Sequence, residues 1–150
     1  MAKSTFVYVT YIRTTPERLW SALTDADFMK QYWFDMTTEC GWKQGSPWKM
    51  LFPDGRIADS GEILEIHPSQ RMVIRWQNQW KPELKAEGPS LCTIELGPVD
   101  RAVKLTITHK IDRPESELIK AVSVAWPLCL SNLKSLLETG KVAITSHPGH

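Results

Sequence analysis

From Glu115 to Thr139 the chain reads ESELIKAVSVAWPLCLSNLKSLLET, and apolar side chains return every three or four residues at Leu118, Val122, Ala125, Cys129, Leu133 and Leu136. Ile119, Trp126, Leu130 and Leu137 widen the stripe. This spacing predicts a long helix with one broad apolar face, which needs an apolar partner of comparable size. Both ends are punctuated. Asp112 and Ser116 are candidate N-caps, Pro114 suits a first turn, Glu115 and Glu117 complement the positive helix end, and Gly140 stands where a left-handed stop belongs. Pro127 is discordant: it removes a backbone donor and crowds the carbonyl four residues earlier, so a bend is expected near Val124 to Trp126.

The partner for that face lies upstream. Thr5 to Arg13 is rich in β-branched and aromatic residues and reads as a strand. Thr15-Pro16-Glu17 then opens a short helix carrying Leu19, Trp20 and Leu23, and Asp25 caps a second one holding Phe28, Met29, Tyr32 and Trp33. Helices this short are marginal alone and must dock on a sheet. Strand patterns separated by turn residues follow at Met36 to Cys40, around Trp48, Met50 and Phe52, and at Arg56 to His67, with a bulge or close approach expected at Gly61. Further strands are expected at Gln70 to Gln77, Ser90 to Leu96 and Ala102 to Ile111, the last two joined by a turn over residues 97–100. Asn78 to Pro89 has little periodicity and reads as a loop.

The expected fold class is therefore α+β: a curved antiparallel sheet of about six or seven strands, two short helices after the first strand, and one long terminal helix covering the sheet. The 150 residues suit one domain, with residues 142–150 as a flexible tail. A net charge of +1 without a dense basic block argues against nucleic acid as a partner. No apolar run is long enough for a membrane span and no signal segment opens the chain, so a cytoplasmic location is expected. Cys40, Cys92 and Cys129 are widely spaced and read as reduced structural thiols, with neither metal nor cofactor expected.

Four segments carry a family resemblance: TTPERLWSALTDADFMKQYW, GEILEIHPSQRMVIRW, LTITHK and the terminal WPLCLSNLKSLLETG. In this order they resemble the START-related (SRPBCC) superfamily, in the branch named after activators of the ninety-kilodalton heat-shock-protein ATPase. The resemblance implies a helix-grip fold, with the sheet wrapped around the terminal helix and an apolar cavity commonly lying between them. It constrains function loosely, because that fold serves lipid carriers, receptors, cyclases and co-chaperones alike.

Seven tryptophans sharpen the question. Trp48, Met50, Trp76, Trp126 and Leu130 come from strands and from the helix face expected to oppose them, and Trp33 is placed to close a mouth. Trp42 and Trp80 are further candidates for a lid or a core cap. The same side chains can line a cavity or fill it. Glu62 shares its strand phase with Leu64 and Ile66, so a carboxylate facing inward with them is expected to orient a ligand, with Arg56 and Asp59 as further candidates, while Arg75, opposite in phase to Trp76, is expected outside. No nucleophile elbow, phosphate loop or metal cluster is present, and the four histidines read as ordinary ones. Binding of a small hydrophobic or aromatic molecule is the leading expectation. A co-chaperone-like module stimulating a chaperone ATPase, with a possible homodimer, is the alternative, and a cyclase or hydrolase working through an inward carboxylate such as Glu62 is a lesser one.

Overall fold

The computed structural model describes residues 3–145. A first strand, β1 (Ser4–Ile12), leads into two short helices, α1 (Pro16–Thr24) and α2 (Ala26–Tyr32). Four strands follow, β2 (Thr37–Cys40), β3 (Pro47–Leu51), β4 (Ile57–His67) and β5 (Arg71–Asn78), then a one-turn helix α3 (Pro82–Lys85). β6 (Ser90–Val99), β7 (Ala102–Ile111) and the long α4 (Glu117–Thr139) complete the chain. The strands form one seven-stranded antiparallel sheet in the order β1-β7-β6-β5-β4-β3-β2, with α4 lying across one face. This is the expected helix-grip arrangement.

The helix signals act as their chemistry predicts. Thr15 accepts a hydrogen bond from the Arg18 amide, and one Asp25 oxygen accepts from both Asp27 and Phe28. Of the two candidate caps for α4, Ser116 is the one used, its hydroxyl accepting from the Ile119 amide at 3.1 Å. Pro114 therefore stands ahead of the helix rather than in its first turn. The carboxylate of Glu87, from the β5–β6 connection, accepts from the Glu117 and Leu118 amides and from the Ser116 hydroxyl. Burial opposes its ionisation, yet those hydrogen bonds and nearby Arg113 hold Glu87 below the usual carboxylate range. Gly140 closes the helix at φ 84°. Pro127 does not end α4, and the helix is not lifted away beside it, since Trp126 and Leu130 are 3% and 1% exposed.

Three expectations need correction. The loop expected over 78–89 contains α3, whose Leu84 is buried. The β6–β7 turn is shorter than expected: Gly97 and Pro98 pair with Lys104 and Val103, and the chain reverses at Asp100, which holds φ 52°. The bulges of β4 lie not at Gly61 but at Leu64, where Ile63 pairs with Ile74 while Glu65 pairs with Val73, and at Ala58, where Asp59 pairs with Met50 while Ile57 pairs with Leu51. Gly61 answers the other half of the expectation, close approach: a β-carbon there would stand 1.6 Å from the Arg75 carbonyl oxygen.

Along β7, Val103, Leu105 and Ile107 are fully buried while Lys104, Thr106 and Thr108 face outward. On β1 the outward residues Val7, Val9 and Tyr11 are 42–56% exposed. Part of the segment expected to hang free is tied down: Val142 packs on the core, and Asn132 accepts from the Ala143 and Ile144 amides and donates to the Ile144 carbonyl. Residues 146–150 lie outside the described ones.

Candidate functional site

The strand alternation brings the tryptophans together. Across the inner face one register row runs Cys40, Trp48, Gly61, Trp76 and Ser90. Because Gly61 has no side chain, the indoles of Trp48 and Trp76, two strands apart, meet over it with ring centroids 4.4 Å apart. From above, α4 lowers Trp126 to 5.9 Å from Trp76, and Trp33, at the end of α2, meets Trp126 edge-on at 4.9 Å. Each contact of this geometry contributes about 0.5–1.5 kcal/mol beyond the area it buries.

A buried polar chain ties the Trp126 ring to the main chain at Trp76. His109 is fully buried, with Nδ1 3.3 Å from the Trp126 indole nitrogen and Nε2 2.8 Å from the Ser90 hydroxyl. An indole N–H only donates, so Nδ1 must be the acceptor and Nε2 carries the proton. Nε2–H then donates to Ser90 Oγ, and Ser90 donates onward to the Trp76 carbonyl at 2.9 Å. Every member is satisfied with the imidazole neutral, and burial pushes the His109 pKa down to about 3. In this tautomer His109 does not accept the Ser90 proton, so the pair is a positioning device for the Trp126 ring and the Trp76 main chain rather than a nucleophile and its base.

The carboxylate on the inner face is Asp59. It is 8% exposed and pairs in register with Met50 on one side and Asn78 on the other. Burial raises its pKa to about 7, opposed by a hydrogen bond from the Trp76 side chain. Burial likewise raises the Cys92 and Cys129 thiols, and all three cysteines are free.

Between the sheet and α4 the rings leave a void of about 30 Å³, roughly the volume one water molecule occupies in the liquid. Leu23, Met29 and Tyr32 from the short helices, Thr38 from β2 and Trp42 from the β2–β3 connection surround it together with Trp33, Trp48, Met50, Trp76 and Trp126. Thr38 is 8% exposed, and its hydroxyl has no hydrogen-bond partner, a condition that costs about 1–3 kcal/mol. A larger open cleft of about 340 Å³ lies at the end of β5, β6 and β7, between Arg75, Leu91 and Lys110. Among the described residues no group of His, Cys, Asp and Glu is placed to hold a metal ion, and no helix is long and apolar enough to cross a membrane.

With this geometry in view, comparison with protein families is decisive at one level. The family model described as "Activator of Hsp90 ATPase homolog 1-like protein" matches residues 13–138. The chain belongs to this family. Solved structures share the fold at low identity. A Mesorhizobium loti protein is 20% identical, covering 93% of this chain and 100% of its own, with a TM-score of 0.78. An HSP90 activator from Plasmodium falciparum is 23% identical, covering 89% and 96%, with a TM-score of 0.73. The Aha1 dimer from Colwellia psychrerythraea is 20% identical, covering 92% and 98%, with a TM-score of 0.72. No curated protein matches the sequence.

Within this family member, Trp33, Trp48, Met50, Trp76 and Trp126 line one pocket, the indoles packing against one another and leaving only about 30 Å³ between them. Leu130 is buried without lining it. Glu62 faces outward: it accepts from Arg75 at 3.1 Å, and its side chain is 38% exposed. The expectation failed because the bulge at Leu64 breaks the alternation, so Glu62 and Ile66 lie on opposite faces although four residues apart. Arg75 is outside, as its phase requires. Trp42 joins the void, whereas Trp80 stacks edge-on with Phe52 beneath the Lys81 ammonium, apart from it. Sequence reasoning missed Thr38, because nothing in a TTEC strand says which threonine faces in.

Proposed function

We propose that this protein binds a small, neutral hydrophobic or aromatic molecule between the sheet and α4, by parting the rings that now fill the space. The observation that carries the reading is the aromatic cluster itself: Trp33, Trp48, Trp76 and Trp126 gather around one pocket, with the unpaired Thr38 hydroxyl among them. A void of 30 Å³ admits no aromatic ring, so entry requires the lining rings to part. Burial of ligand surface at about 25 cal/mol per Å² then drives binding. The enzyme alternative loses Glu62, which points to solvent, and the inward carboxylate that remains, Asp59, is not among the residues lining the pocket.

Tryptophan fluorescence during titration with a panel of small aromatic ligands tests this. Trp126→Phe and Trp76→Phe should each weaken the tightest ligand about fivefold, the equivalent of one lost ring contact of about 1 kcal/mol. Unchanged affinities in both variants would sink the assignment.

A second reading, protein interaction in the manner of the family name, is favoured by the exposed row Val7, Val9 and Tyr11 on the outer side of β1 and by the described role of the Plasmodium falciparum relative. Co-purification of a chaperone ATPase whose hydrolysis rises on adding this chain, and falls again with Val7→Glu, would favour it over ligand carriage.

A further inference from the structure

The ligand class can be narrowed, on the reading that the aromatic cluster is a binding site. Around the void no side chain carries a formal charge, so a charged ligand would lose its hydration without an ion partner. The polar groups nearby are already engaged with one another. Tyr32 donates its hydroxyl to the Ala22 carbonyl at 2.9 Å, Trp126 donates to His109, and Trp76 donates to Asp59. Among the described residues two fully buried polar side-chain atoms lack a partner, Thr14 Oγ1 and Thr38 Oγ1, and of these Thr38 lines the void. Thr38, on the edge strand β2, also stands in register with Met50 of β3. A hydroxyl both donates and accepts, and here it lies among apolar surfaces with no intramolecular use.

We propose that Thr38 is the polar contact of this site and that its ligand is a neutral, flat aromatic molecule bearing a single hydroxyl, a phenol-type compound. The ring would lie among Trp33, Trp48 and Trp126, and the hydroxyl would meet Thr38 Oγ1. Thr38 is thus a specificity-determining residue. A site built around a buried hydrogen-bonding group rejects the analogue that lacks the matching group, because the protein group is then left unpaired.

The test uses p-cresol and p-xylene, which have nearly the same shape and differ by a hydroxyl in place of a methyl. Their dissociation constants are measured by ligand-observed NMR titration on the full chain and on Thr38→Val and Thr38→Ser. The wild type and Thr38→Ser should favour p-cresol relative to Thr38→Val, the ratio of the two constants shifting about tenfold on loss of the hydroxyl while p-xylene affinity holds. Valine suits a strand and removes an unpaired buried hydroxyl, so Thr38→Val should fold, and circular dichroism checks it. If both probes bind and the ratio is the same in all three proteins, the role of Thr38 is overturned while the binding site stands. If neither probe binds the wild type, the site itself is wrong, and the inference goes with it.

Discussion

Gly61→Ala should be the most damaging single-methyl change in this protein, lowering stability by more than about 4 kcal/mol, enough to leave much of a marginally stable chain unfolded at 37 °C. A β-carbon there would stand 1.6 Å from the Arg75 carbonyl oxygen and 2.7 Å from its carbon. Those are backbone atoms of a paired strand, so relief requires β4 and β5 to separate at the row where Trp48 and Trp76 meet. The measurement is urea unfolding followed by tryptophan fluorescence. A midpoint within experimental error of wild type would show that the two strands do not approach this closely. Gly97→Ala is the natural control, because a β-carbon at Gly97 meets nothing within 4 Å.

Asp59→Asn should stabilise the protein in neutral and alkaline solution and do little in acid. The folded-state pKa of about 7 lies well above the ordinary aspartate value. Between about pH 4 and pH 7 the folded protein keeps a proton that the unfolded chain has released, so wild-type stability falls as pH rises through that window and levels off above it. The full penalty is on the order of 4 kcal/mol. Asparagine cannot ionise and keeps an oxygen to accept from Trp76, so the slope should vanish and the variant should gain most of that energy at pH 8. Unfolding free energies at pH 4 and pH 8 for the two proteins decide the matter. Parallel pH profiles would mean that Asp59 is ionised and solvated in the native state.

The comparison between sequence and structure turns on one residue of β4. Hydrophobic spacing located α4, and cap chemistry placed α1 and α2, because those signals are local and act within a turn of the chain. Strand phase is also local, but it survives only until an extra residue intervenes. Leu64 is that residue, and it put Glu62 on the wrong face in the sequence reading. Asp59 stood among the candidate ligand-orienting groups but behind Glu62, since its burial depends on Met50 and Asn78 beside it in neighbouring strands. Whether the tryptophans would line a space or fill it was never in the pattern. It depends on how the rings are turned, which for Trp126 is settled by a hydrogen bond to His109 on a different element of the fold.

The sheet order carries a consequence for how the chain is made. Among the described residues the first strand, Ser4–Ile12, has its one strand neighbour in Ala102–Ile111, so it leaves the ribosome about a hundred residues before that neighbour exists. Until then Val7, Val9 and Tyr11 sit on an unpaired ribbon, the kind of segment that sticks to others in a crowded cell. Trp126 and the helix that carries it are made later still. Synthesis must therefore be nearly finished before the aromatic cluster can assemble, and a nascent chain stalled short of α4 would display its tryptophans with nothing to cover them.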